Sequence, residues 1–106
     1  PQIEFEDFQK MDLRIGTIKA AEAIEDSKKL IRLTVDTGAE RTVVAGLKGH
    51  YEAADLMGVQ VVVVVNLKPV TLMGIESQGM LLAASDASGL HVLTPDTKAE
   101  PGSKVS

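Results

Sequence analysis

The sequence predicts an all-β fold with little helix, in which five strands form a small barrel, and three observations lead to this prediction. Residues 30–36 alternate between apolar and polar side chains, which is the period of a strand with one buried face. Residues 61–65 are all valine, a strand-length run that predicts a strand covered on both faces. Gly16 lies where the apolar phase of another strand-like segment changes, as in the bent first strand of a barrel.

The N-terminal elements follow from short apolar patterns. Phe5 and Phe8 are three residues apart within residues 4–10, which predicts one or two helical turns. The first strand begins near Asp12, and its apolar residues fall on two phases: Leu13 and Ile15, then Ile18, Ala20 and Ile24. Gly16 between the two phases predicts a bulge that lets one strand serve two parts of the sheet.

The remaining elements are read in the same way along the chain. Residues 30–45 form a hairpin of the second and third strands, with Ile31, Leu33 and Val35 pointing inward. The elements after it are a helix over about 52–56 that ends at Gly58, a fourth strand over 59–67, a fifth over 79–84, an edge strand over 90–94, and a last strand near Val105.

This order of elements, with a helix between the third and fourth strands and short terminal extensions, matches the oligonucleotide/oligosaccharide-binding (OB) barrel. Ligands of that fold lie across strands 2 and 3, between the loops that join strands 1 to 2 and 4 to 5. The 106 residues are enough for one domain, so residues 1–106 are predicted to form a single unit. The absence of cysteine excludes disulfides and thiolate metal sites.

The charge distribution bounds the class of partner. A net charge of -4 argues against nucleic-acid binding by bulk electrostatics. Residues 27–51 nevertheless hold a basic cluster that consists of Lys28, Lys29, Arg32, Arg41 and Lys48, against only Asp36 and Glu40. An anionic partner is expected to dock on this segment, and the alternative is an ordinary solvated surface.

The sequence offers little for catalysis, metal binding or membrane insertion. His50 and His91 lie in different segments without further ligands nearby, and neither a GxSxG elbow nor a phosphate loop is present. No apolar run approaches the length of a membrane span. The expectation is a noncatalytic cytoplasmic protein with no cofactor and no metal.

Binding is the better supported class of function. In the barrel, Lys28 and Lys29 fall in the first loop, Arg32 and Arg41 on the solvated side of strands 2 and 3, and Lys68 in the loop between strands 4 and 5. The sequence has no tryptophan and one tyrosine, so the aromatic platform of single-strand binders is missing. A basic groove without rings suits recognition of the backbone and shape of a folded RNA.

Five segments together resemble one known family. They are DLRIGTI at 12–18, KLIRLTVDTG at 29–38, RTVVAGL at 41–47, NLKP at 66–69 and LMGIESQGMLLAA at 72–84. They resemble the tRNA-binding domain at the C-terminus of methionyl-tRNA synthetases, which also occurs as free-standing tRNA-binding proteins. The resemblance covers nearly the whole chain.

This resemblance implies a domain that binds tRNA with little sequence preference and forms homodimers. It implies action beside the catalytic part of a methionyl-tRNA synthetase, either as an excised C-terminal domain or as a separate subunit. By motif position, the expected tRNA contacts in the loop are Lys68, Ser77, Gly79 and Met80, with Asn66 orienting the loop. Thr71 stands where many relatives have a basic residue.

Alternatives remain open at several of these positions. Met80 could be core, Ser77 could stabilise a local turn, and Gly79 could serve backbone geometry alone. The whole chain could be a dimerisation module with weak RNA affinity. The expected subunit interface comprises Phe5, Phe8 and the valines of residues 61–65, since covering both faces of that strand is predicted to need more chain than one domain has.

Overall fold

The computed structural model describes residues 1–106, and its secondary structure is almost entirely β. In chain order the elements are α1 (Phe5–Gln9), β1 (Leu13–Ala23), β2 (Ile31–Asp36), β3 (Glu40–Ala45), a 3-10 turn (Ala53–Leu56), β4 (Gln60–Val64), β5 (Val70–Leu72), β6 (Ile75–Ser77), β7 (Met80–Leu81), β8 (Ala83–Asp86), β9 (Gly89–Val92) and β10 (Lys104–Val105). Neither α1 nor the 3-10 turn has the length and hydropathy of a membrane-spanning helix.

Six strands form one antiparallel sheet in the order β3-β2-β1-β4-β7, with β10 also paired to β1. The long β1 joins the two parts of this sheet, because Leu13–Thr17 pair with β4 and Thr17–Ala23 pair with β2. The sheet curls until the backbone N–H of Gln78 donates to the carbonyl of Thr42 on β3 at 2.8 Å. The predicted all-β, OB-type barrel is thereby confirmed.

The barrel interior is filled by aliphatic side chains from the strands that the sequence predicted. Ile31, Leu33 and Val35 of β2 are each at most 1% exposed, as their alternation indicates. They pack with Ile18, Val43, Leu47, Leu56, Val61 and Val63. Burial of this apolar surface is the main stabilising contribution to the fold.

A second apolar cluster covers the outer face of β4. Val62 and Val64 pack there with Leu13 and Ile15 of β1. Phe8, Leu82, Ala99 and Val105 close over this cluster, so the cover comes from α1, from the junction of β7 and β8, and from the C-terminal segment. The prediction that residues 61–65 are covered on both faces is confirmed, but the inference that a partner subunit is needed there is wrong.

The bulge in β1 lies three residues beyond the predicted position. The register between β1 and β2 shifts between Ile18 and Ala20, so the extra residue is Lys19 rather than Gly16. Beyond the shift it is Ala21, not Ala20, that packs against the core. Gly16 is required for a different reason, since an added Cβ would lie 2.4 Å from Cγ1 of Val35.

Three further elements differ from the sequence prediction. The predicted helix over 52–56 is a single 3-10 turn, and Gly58 after it has a positive φ of 81°. The predicted fifth strand is divided into β7 and β8, and β8 continues into a hairpin with β9. The polar loop over residues 66–79 contains a hairpin of its own, β5–β6, which the sequence did not predict.

Candidate nucleic-acid interface

Three members of the basic cluster are free to meet a ligand. Lys28 and Lys29 lie in the β1–β2 loop and Arg32 lies on the outer face of β2, with all three side chains exposed. None of them is in an ion pair, because the ion pairs of the chain involve Lys10, Arg14 and His91. Their charges are therefore available to an anionic partner.

The other two members of the cluster are bound to backbone carbonyls. Arg41 Nη1 donates to the carbonyls of Val65 and Gln78, at 3.1 and 2.9 Å. Lys48 Nζ donates to the carbonyls of Ile24 and Ser27, at 2.9 and 2.7 Å. Both side chains are half-buried. The sequence placed them on a solvated docking face, and the structure gives them bonds within the barrel.

The β5–β6 hairpin brings the 66–79 loop next to Arg32. Its turn is made by Met73 and Gly74, whose φ angles are both positive, at 51° and 77°. Positive φ at both central positions is the type I′ geometry that matches the twist of a hairpin. The hairpin and the barrel border an open hollow of about 350 Å³ that is lined by Arg32, Thr42, Gly74, Ile75, Glu76 and Gln78.

The predicted contacts in this loop fall into two groups. Lys68 and Met80 are exposed, with Met80 at 48%, although Met80 also pairs with Val64 in the sheet. Ser77 is 2% exposed, so the structure places it in the interior and not at the surface where the sequence placed it. Its Oγ accepts the N–H of Val44 at 2.9 Å and donates to the carbonyl of Gly79 at 3.2 Å.

Gly79 and Asn66 likewise have structural partners. A Cβ on Gly79 would lie 3.0 Å from the carbonyl oxygen of Val64, so the residue permits close approach of two chain segments. Asn66 Oδ1 accepts the N–H of Asp12 at 2.9 Å, and its Nδ2 donates to the carbonyl of Lys10 at 2.7 Å. Asn66 therefore fixes the junction between α1 and β1, where the sequence predicted that it orients the loop.

A cluster that the sequence did not predict lies at the tip of the β8–β9 hairpin. Ser88 Oγ donates to Asp86 Oδ1 at 2.6 Å, and Nε2 of His91 lies 2.9 Å from Ser88 Oγ and 3.1 Å from Asp86 Oδ1. The hydrogen bond from the Ser88 side chain, then that from His91 and that from the Ser88 backbone, lower the pKa of Asp86 from 3.8 to about 2. Because the pKa of Asp86 is lower in the folded chain than in the unfolded chain, its carboxylate stabilises the fold at pH values above the unfolded-state pKa. This stabilisation is lost as the pH falls towards 2.

This cluster lacks the geometry of a catalytic triad. A triad needs one imidazole nitrogen against the acid and the other against the serine. Here a single nitrogen of His91 faces both groups, and Ser88 directs its proton to Asp86. The three residues stabilise an exposed hairpin tip. No group of three or more His, Cys, Asp or Glu side chains is arranged to hold a metal ion.

Comparison with known proteins places these features in a family. Residues 13–104 match the family described as "Putative tRNA binding domain". The chain belongs to this tRNA-binding domain family. A relative is the methionine–tRNA ligase of Thermotoga maritima, which is 52% identical over 98% of the chain. The chain spans only 17% of that ligase, so it corresponds to a noncatalytic appendix of such enzymes.

Solved structures share both the fold and part of the sequence of this tRNA-binding domain. A protein of Pyrococcus horikoshii, described as MetRS related, has a TM-score of 0.93 at 36% identity, and the match covers 100% of this chain and 99% of that one. The chaperone CsaA of Bacillus anthracis has a TM-score of 0.90 at 34% identity, with complete coverage of both chains. The same barrel thus occurs in free-standing proteins.

Proposed function

We propose that this domain binds tRNA through its backbone and overall shape, forms a homodimer, and acts in the cytoplasm beside the catalytic part of a methionyl-tRNA synthetase. It serves there either as a C-terminal domain or as a separate subunit, and it raises the affinity of the enzyme for tRNA without taking part in catalysis. The observation that carries the proposal is that Arg32, an exposed cation without an ion pair, lines one hollow with the β5–β6 hairpin of a tRNA-binding-family barrel.

The number of free cations sets the scale of the electrostatic contribution. Lys28, Lys29, Arg32 and Lys68 are exposed and carry no ion pair. If each neutralises one phosphate, the slope of log K against log salt is about -3. Glu76 lines the same hollow, and its negative charge repels further phosphates. Binding of moderate strength is therefore expected.

The lack of aromatic rings points to recognition of a folded RNA. Phe5 and Phe8 stack on each other beside the C-terminal strand, with their ring centroids 6.4 Å apart. The hydroxyl of Tyr51 accepts the N–H of Val92. No ring lines the hollow beside the hairpin. Since unstacked bases are bound mainly on rings, the contacts left for this surface are phosphates and sugars.

The test of this function is a pair of titrations at several salt concentrations. Whole tRNA is compared with an unstructured RNA of equal length. Preference for tRNA with a slope of about -3 supports the proposal. Equal affinity for both RNAs contradicts shape recognition, and no binding at low salt leaves the alternative, a mainly structural dimerisation module.

Lys68→Ala is expected to weaken tRNA binding about tenfold and to reduce the magnitude of the salt slope by about 0.7–0.9, because one phosphate contact is lost. The free energy of unfolding should not change, since the side chain is exposed and unpaired. The matched control is Lys98→Ala, which removes an exposed lysine that lines a different hollow. Equal effects of the two substitutions on binding would remove Lys68 from the interface.

The surface proposed for the homodimer is the apolar groove between α1 and β10. It has a volume of about 390 Å³, and its apolar lining consists of Phe5, Phe8, Met11 and Val105. Phe5 is 71% exposed, as is the nearby Ile3. Large exposed apolar side chains grouped in this way are typical of a subunit interface.

Phe5→Asp is expected to convert the dimer to a monomer, because a charged group would be buried in the interface without a partner. Native mass spectrometry or sedimentation gives the readout. Met57→Asp is the control, since Met57 is 52% exposed but lies outside the groove. A monomeric wild-type chain, or a dimer that survives Phe5→Asp, would contradict this assignment.

A further inference from the structure

One side chain joins the two ends of the loop that carries the β5–β6 hairpin. The carbonyl of Val65 precedes the 66–79 loop and that of Gln78 lies near its end, and Nη1 of Arg41 donates to both, at 3.1 and 2.9 Å. Nε of Arg41 donates to Oγ1 of Thr37 at 3.0 Å. Three of the five guanidinium N–H groups are therefore bound within the protein.

Arg41 is also held at the turn between β2 and β3, which contains Thr37. Thr37 is only 9% exposed, and its hydroxyl donates to the carbonyl of Ala39 at 3.1 Å while it accepts from Arg41. A planar guanidinium held at two of its nitrogens has little freedom to rotate. Its hydrogen bonds are also charge-assisted, which makes them stronger than neutral ones.

The hairpin depends on such links because it is not part of the main sheet. β5 and β6 form a separate two-stranded sheet, and a hairpin of two strands is marginal by itself in water. Its remaining connections to β3 are few. The hydrogen bonds among them are the one that Ser77 Oγ accepts from Val44 and a pair between Gln78 and Thr42.

The first loop shows the same arrangement with a lysine. Lys48 Nζ donates to the carbonyls of Ile24 and Ser27, and these residues lead into Lys28 and Lys29. The loop with Lys68 is thus bound by Arg41 of β3, and the loop with Lys28 and Lys29 is bound by Lys48, just after β3. The cations that the sequence groups together differ in role, since two hold loops and three are exposed to solvent.

We propose that Arg41 and Lys48 are positioning residues for RNA binding, which hold the 66–79 loop and the β1–β2 loop so that Lys68, Lys28 and Lys29 meet the RNA in fixed orientations. Neither residue neutralises a phosphate in this role. The proposal rests on the tRNA binding proposed above. It divides the basic residues into those that hold the loops in place and those that contact phosphates.

The decisive measurement is the salt dependence of tRNA binding, compared between Arg41→Met and Arg32→Met. Arg41→Met is expected to weaken binding about tenfold with an unchanged salt slope, because the loop then has to be ordered on binding. Arg32→Met is expected to weaken binding while reducing the magnitude of the slope by about 0.7–0.9, as for a lost phosphate contact. Lys48→Met should behave like Arg41→Met.

Amide hydrogen exchange and a conservative variant provide independent readouts. Exchange of the amides in residues 70–77 should accelerate in Arg41→Met and stay unchanged in Arg32→Met, while the amides of β1 and β4 keep their protection in both. Arg41→Lys keeps the charge, but its three N–H donors share one nitrogen and cannot reproduce the bonds that Arg41 makes from Nε and Nη1. It should therefore bind tRNA about as weakly as Arg41→Met. Arg32→Lys should bind nearly as well as the wild type.

Two outcomes would overturn the positioning role of Arg41. One is a reduced salt slope with unchanged exchange in residues 70–77, which identifies Arg41 as a phosphate contact through its unbound Nη2. The other is unchanged tRNA affinity in Arg41→Met. If the wild-type domain fails to bind tRNA, the proposed function is wrong as well. The titration of the wild type alone distinguishes this failure from a failure of the positioning role.

Discussion

Gly16→Ala is expected to destabilise the domain by about 1–3 kcal/mol, the usual cost of adding volume to a packed core. The added Cβ would lie 2.4 Å from Cγ1 of Val35, 3.0 Å from Cγ2 of Thr37 and 3.2 Å from Cγ2 of Val63. Val35 and Val63 are fully buried, so neither side chain can move aside without disturbing the interior. Urea denaturation gives the measurement, as a lower midpoint at an unchanged m-value.

The matched control for this substitution is Gly46→Ala. Gly46 follows β3, and a Cβ there meets no atom within 4 Å. Its replacement should therefore change the free energy of unfolding by no more than about 0.5 kcal/mol. If the steric contact is the cause, adding Val35→Ala to Gly16→Ala should cost less than the sum of the two single substitutions. Similar effects of Gly16→Ala and Gly46→Ala would contradict the steric argument.

Ser77→Ala is expected to lower the free energy of unfolding by about 1–3 kcal/mol, because it leaves the N–H of Val44 buried without its acceptor. The Ser77 hydroxyl accepts this N–H where the barrel closes against β3, and it is 2% exposed. Loss of the bond should also increase hydrogen exchange at Val44. This readout reports the closure directly.

Ser85→Ala is the control for Ser77→Ala, since Ser85 is exposed and lies on β8 away from the closure. It should leave the midpoint of denaturation unchanged. If Ser77→Ala weakens tRNA binding with no loss of stability and no change in exchange at Val44, then Ser77 contacts the RNA and its structural role is minor. If Ser77→Ala instead lowers the stability, any weakening of RNA binding follows from a change in the shape of the loop.

Much of the fold could be predicted because its strands have a clear local pattern. The alternation of β2 and the valines of β4 each determine which faces are buried, and both predictions are confirmed. The β5–β6 hairpin could not be predicted in the same way. Each of its strands has three residues, and its turn, Met73–Gly74, lacks the Asn-Gly or Asp-Gly pair that normally marks a type I′ turn.

The candidate site was predicted less completely than the fold. The sequence identified the segment that carries positive charge, and Lys28, Lys29 and Arg32 are exposed there. It could not separate them from Arg41 and Lys48, because all five are basic residues of one segment, residues 27–51. The cover of Val62 and Val64 likewise comes from both terminal segments and from Leu82, and no local pattern indicates which segments will supply it.

The sequence by itself therefore determined the type and order of most strands, the buried faces of β2 and β4, and the family to which the chain belongs. Only the tertiary structure decided which polar side chains are free. The carbonyl acceptors of Arg41 lie 24 and 37 residues away along the chain, and Ser77 meets Val44 across 33 residues. Such partners are set by how the barrel closes, since a charged or hydroxyl group binds the nearest carbonyl or N–H in space whatever its distance in sequence.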